Sequence, residues 1–74
     1  MIKYTIIIEK ASDGGYGAYA PDLPSCVGMG ANRDEVIENM MEAIYFHLEG
    51  LKEEGLPIPP PNAEAENLVL NIRF

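Results

Sequence analysis

The sequence predicts an α+β fold in which three antiparallel strands, one helix and a last strand follow one another as β-β-β-α-β. Three observations predict it. Segments rich in β-branched and aromatic residues, broken by glycine and proline turns, fill the first thirty residues and the end of the chain. A single amphipathic stretch with a capping signal lies between them. A proline-rich connector then separates that helix from the last strand.

Residues 2–9 (IKYTIIIE) read as the first strand, with Ile2, Tyr4, Ile6 and Ile8 on one face and Lys3, Thr5, Ile7 and Glu9 on the other. Ser12-Asp13-Gly14-Gly15 is hairpin chemistry, glycine supplying the positive φ of a tight turn. Tyr16 to Ala20 returns antiparallel. Pro21-Asp22-Leu23-Pro24 should then interrupt the ladder, since neither proline has an N–H to give. Cys26 to Gly30 forms a short third strand at the sheet edge.

Asn32 caps the helix, and Glu35, three residues later, completes a capping-box pattern. Ile37, Met40, Met41, Ile44, Leu48 and Leu51 fall on one stripe at 100° per residue. The helix spans residues 33–54 and stops at Gly55, with Pro57 just beyond. Pro59-Pro60-Pro61 is a stiff connector. In residues 67–74, Leu68, Leu70, Ile72 and Phe74 alternate with Val69, Asn71 and Arg73, the pattern of a half-buried strand. A strand–helix–strand excursion favours a parallel neighbour with a right-handed crossover. The expected order is therefore 3-2-1-4, with the helix on one sheet face and residues 1–74 forming one domain.

Composition restricts the function. Five Lys and Arg stand against twelve Asp and Glu, a net charge of −7. This argues against direct nucleic-acid binding, which needs clustered cations, and against docking on anionic membranes. A basic partner would be attracted, while the plainer reading of the same acidity is that it keeps a small protein soluble. Cys26 has no second cysteine to pair with, the profile of a cytoplasmic chain. No apolar run approaches the roughly 18 residues of a membrane span. A core this small gains from association, so a homodimer or higher homo-oligomer is expected.

No catalytic constellation assembles from the sequence. A nucleophilic triad needs a base beside Ser or Cys, but His47, the only histidine, lies near the apolar side of the helix and reads as a boundary residue; Cys26 reads as a small buried filler and Met40-Met41 as adaptable packing. Glu9 sits at the end of its strand, while Asp13 and Asp22 sit in turns. No phosphate-loop spacing occurs. The expectation is no catalytic residue, no metal and no cofactor. More informative is the outer face of the helix, where Glu35, Glu38, Glu42, Glu49 and Glu53 share an arc with Phe46. The pairs Glu38–Glu42 and Glu49–Glu53 repel at i, i+4, by about 0.2–0.5 kcal/mol each. A solvated face is the default reading of such a row, and the alternative is a surface for a basic protein or a second subunit, which an acidic strip around an exposed aromatic suits.

IIIEK, then DGGYGAYAPDLPSCVGMG, then RDEVIENMMEAI and GLPIPPP together resemble the HicB-type antitoxin family over residues 4–61. Ser25 replaces the usual glycine of the Pro-Asp-Leu-Pro-Gly-Cys-like segment, and Asn32 replaces a common threonine cap, both mild departures. The resemblance implies a partial ribonuclease-H-like fold without the nuclease carboxylates. It also implies a non-enzymatic, toxin-neutralising domain that sequesters a small basic RNA-cleaving HicA-type toxin. No C-terminal DNA-binding domain follows, so autorepression is not expected. The alternative is an orphan self-associating scaffold or a binding protein without a toxin partner. The expected partner-binding residues are Glu38, Glu42, Phe46 and Glu49 on the helix, with Asp22 and Leu23 of the Pro21–Cys26 loop next in line.

Overall fold

In the computed structural model, which describes residues 1–73, β1 (Ile7–Lys10) and β2 (Tyr16–Ala20) form an antiparallel hairpin. Its turn is built as the sequence requires. Gly14 takes φ +92°, its N–H donates to Ala11 O at 3.1 Å, and Asp13 Oδ1 accepts from the Gly15 N–H at 2.9 Å. β3 (Leu23–Gly30) pairs antiparallel with β2, so the sheet runs β1-β2-β3 with β2 in the middle.

Three strand expectations need correction. The ladder of β1 covers only Ile7–Lys10, because Ile7 already stands opposite Tyr19 and β2 ends at Ala20, before Pro21. Residues 2–6 therefore overrun the hairpin. β3, in contrast, begins at Leu23 rather than Cys26. The register jumps from Tyr19 opposite Val27 to Ala20 opposite Leu23, leaving Pro24, Ser25 and Cys26 without partners in the ladder. A proline fits an edge strand where the ladder is already broken.

The third correction is the fourth strand. Among the described residues, 67–73 form no strand, and no parallel neighbour of β1 completes the order 3-2-1-4. The connector explains the displacement. Tyr4 Oη donates to Pro59 O at 2.6 Å, Thr5 Oγ1 donates to Ala63 O at 3.1 Å, and the Ala63 N–H donates to Asp22 Oδ2 at 2.9 Å. These bonds tie the connector to the end of the sheet and leave the next residues in solvent. Phe74 lies outside the described residues.

The helix α1 (Arg33–Glu53) ends one residue earlier than expected. Asn32 Oδ1 accepts from the Glu35 N–H at 2.9 Å, while Glu35 Oε1 reaches back to the Ala31 N–H at 3.1 Å. The capping box thus closes one residue upstream of its usual return bond. Gly55, at φ +71°, makes the left-handed C-terminal cap, and the bonds Gly55 N–H to Lys52 O and Leu56 N–H to Leu51 O complete a Schellman motif. Replacing Asn32 with Ala should cost about 1 kcal/mol, read as a lower denaturant midpoint at unchanged slope.

The helix lies over β3 and β2 rather than centrally. Two glycines permit this: Gly30 faces the Val36 backbone and Gly28 faces the Met40 side chain. The core is Ala18, Ala20, Leu23, Cys26, Val36 and Met40, with Ile6, Ile8, Ile37, Ile44 and Leu48 packed around it. The apolar stripe is therefore rotated from the expected one. Val36 is fully buried and Met41 is exposed, because the helix rests on the glycine side of the sheet. No described helix is long and apolar enough to cross a membrane.

Candidate protein-interaction surface

On the solvent side of α1, Glu38, Glu42 and Glu49 are all exposed, and Phe46 among them is 82% exposed. Tyr45, which the sequence pattern did not single out, is exposed beside them. The capping bonds and the packing of Val36 and Met40 fix this orientation, since residues three and four apart share a face. An apolar ring within a row of carboxylates can offer contact area and attraction to cations together.

The loop residues divide differently. Leu23 is fully buried, with 0% of its surface exposed, so its place among the partner-binding residues is corrected: it belongs to the core. Its aliphatic side chain fills the space under α1 where the ladder breaks. Asp22 is half-buried and already accepts the Ala63 N–H, which makes it a clamp on the connector.

The other sheet face carries a feature that strand patterns alone did not reveal. Ile7, Tyr19 and Val27 stand in register across all three strands, and Met29 follows on the same face of β3. Tyr19, Val27 and Met29 are exposed. Alternation within each segment hinted at this face, but only the register turns separate residues into a row.

Groups capable of chemistry border the helix face, where Ser25, Cys26 and His47 line one cleft together with Phe46. Ser25 Oγ lies 3.4 Å from His47 Nδ1, so the one histidine stands beside a serine. The broken ladder brings Ser25 toward the helix. Both are solvent-accessible, and no third group orients the imidazole among the described hydrogen bonds. That arrangement lacks the oriented base that makes a serine nucleophilic. The Cys26 thiol is buried and contacts Ala43 O at 3.9 Å; burial pushes its pKa up, away from the reactive thiolate. The pKa of the Tyr4 hydroxyl is likewise pushed up, first by burial and then by the nearby Asp22 carboxylate, which suits its donation to Pro59 O. Among the described residues, no group of three His, Cys, Asp or Glu side chains could hold a metal ion.

Comparison with known proteins relates the chain to a family. Residues 4–73 match the profile described as HicB_like antitoxin of bacterial toxin-antitoxin system. A UPF0150 protein of Thermoplasma acidophilum is 43% identical over 63 residues, covering 85% of this chain and 91% of that one. The antitoxin HicB 1 of Photorhabdus laumondii is 28% identical over 92% of this chain but only 44% of its own length. Among solved structures, the N-terminal domain of the Burkholderia pseudomallei antitoxin HicB superposes with a TM-score of 0.71 at 34% identity, covering 74% of this chain and 65% of that one.

Proposed function

Because the chain belongs to the HicB-like antitoxin family, we propose that it is a cytoplasmic, non-enzymatic module that sequesters a small basic RNA-cleaving toxin of the HicA type. The observation that carries the reading is the acidic helix face around Phe46. A protein that cleaves RNA must present cations to phosphates. A net charge of −7 with Glu38, Glu42 and Glu49 in one exposed row is the complementary surface. Phe46 supplies apolar area of the kind that holds a complex once charge has guided the encounter. The same deficit of cations disfavours direct binding of nucleic acid by this chain.

A single assay tests the reading. The purified chain alone is expected to leave RNA and RNA–DNA hybrid intact with Mg²⁺ or Mn²⁺. Added to a HicA-type ribonuclease, it should abolish cleavage near equimolar ratio. Cleavage by the chain itself, lost on mutating Asp13 or Asp22, would overturn the non-enzymatic reading. Failure to restrain the toxin would favour the second reading, an orphan self-associating scaffold, which the exposed apolar residues Leu68, Val69, Leu70 and Ile72 also support.

A further inference from the structure

We propose that residues 67–73 of one copy add as a strand to the free edge of β1 in a second copy, reciprocally, so that a two-fold dimer supplies the fourth strand that the single chain leaves unpaired. This stands independently of the toxin reading.

The first ground is the segment itself. Leu68, Val69, Leu70 and Ile72 are each more than half exposed, Val69 almost completely so. Leu68, Leu70 and Ile72 share one side of an extended chain. Alternating apolar residues in solvent are costly for a lone protomer and useful for a strand that has a sheet to join.

The second ground is the receiving edge. β3 is protected against further pairing by Pro24 and by its break in register. β1 has neither device. Its unpaired edge runs on through residues 2–6 (IKYTI), which lack a ladder partner on either side. That is an unpaired edge of the kind to which another chain can add a strand.

The third ground is the groove beside that edge. Because α1 rides over β3 and β2, a cavity of about 270 Å³ opens between the start of the chain and the helix. Ile2, Tyr4 and Ile6 line one side; Met41, Ile44 and Tyr45 line the other. A strand alongside β1 would lay Leu68, Leu70 and Ile72 under the exposed flank of the helix. It would cover Met41 and Tyr45, which the lone chain leaves in water.

Connectivity favours the second copy as the source. The bonds of Ala63 to Thr5 and Asp22 anchor the connector beside Thr5, whose side chain points away from the face that bears Tyr4 and the groove. From there the chain leaves the domain. The longest dimension is 53 Å, whereas a 21-residue helix accounts for only about 31 Å. The radius of gyration, 14.8 Å, exceeds the roughly 11 Å of a compact chain of this length. A segment thrown clear of its own groove is placed to enter another, and two-fold symmetry satisfies both at once.

Light scattering on the full chain at tens of micromolar should give the mass of two copies. Isotope-filtered nuclear Overhauser spectra on a mixed labelled and unlabelled sample should show contacts between residues 67–73 and 2–8 of different copies. The double variant Val69→Pro, Leu70→Pro removes a donor from each edge of the segment without touching the core. It should run as one copy with unchanged helical circular dichroism. Phe46→Ser should leave the dimer intact. A monomeric wild-type chain, contacts only within one copy, or a dimer that survives the double proline but dissociates on Phe46→Ser would each overturn the proposal.

Discussion

Gly30→Ala should destabilise the domain more than any other single-methyl addition. A Cβ at this position would lie 2.6 Å from Val36 N and 3.0 Å from Val36 Cα, with Glu35 C also within 3.1 Å. All three atoms belong to the helix backbone, so relief requires moving the first turns of α1 off β3. Overpacking of this kind costs about 1–3 kcal/mol, and the rigidity of the obstacle places Gly30 at the upper end. For a domain of this size, about 3 kcal/mol lowers Tm by roughly 12–24 °C, a large part of a small domain's margin. Gly28→Ala should cost less. Its nearest neighbours are Sδ and Cγ of Met40 at 2.9 and 3.1 Å, on a flexible side chain that can rotate. Gly50→Ala should stabilise by about 1 kcal/mol, because the position is helical, exposed and open. Thermal melts followed by circular dichroism give the order Gly50→Ala, wild type, Gly28→Ala, Gly30→Ala. A Gly30→Ala protein melting near wild type would mean that the helix does not rest on β3 at this distance.

Those glycines also show where sequence reading stops. Turn and cap chemistry is local, so Gly14, Asn32, Glu35 and Gly55 could be assigned from neighbours within a few positions. The helix and the β1–β2 hairpin followed from the same kind of signal. What strand sits over what helix is a long-range matter. Gly28 and Gly30 looked like weaknesses in a strand, yet they are the reason α1 approaches β3 and turns Val36 inward and Met41 outward. The residues 67–73 have a strand pattern, but a pattern specifies the faces of a strand and not the sheet it joins. The acidic row was legible because helix geometry converts spacing into a surface directly. Leu23 was misread because a proline-bounded loop was expected to stay outside, whereas the break in register carries it into the core.

Reversing Glu38, Glu42 and Glu49 to Lys should slow capture of a HicA-type toxin by at least about tenfold at low salt, within the range that electrostatic steering covers. Three reversals of two charges apiece take the net charge from −7 to −1 and place cations in the middle of the proposed docking face. The fold should tolerate the change. All three side chains are exposed and point away from the core that Val36 and Met40 build. Within the helix, the new cations at positions 38 and 42 still repel each other. The one at 38 gains Asp34 one turn earlier, however, and the one at 49 gains Glu53 one turn later. These exchanges amount to tenths of a kcal/mol. Salt separates the electrostatic and apolar contributions. At about 0.1 M ionic strength, charges more than roughly 10 Å apart are screened, so the association rates of wild type and variant should converge as salt rises. Dissociation should change less with salt, because apolar contacts hold the formed complex; Phe46→Ser should act mainly there, speeding release. Surface plasmon resonance across a salt series, with circular dichroism on the same samples, reads both rates and the fold. If the folded triple variant captured toxin at the wild-type rate and with the wild-type salt dependence, the acidic row would not be the docking face. The bare sheet face of Tyr19, Val27 and Met29 would then be the next surface to mutate, since it offers exposed apolar area on the opposite side of the sheet.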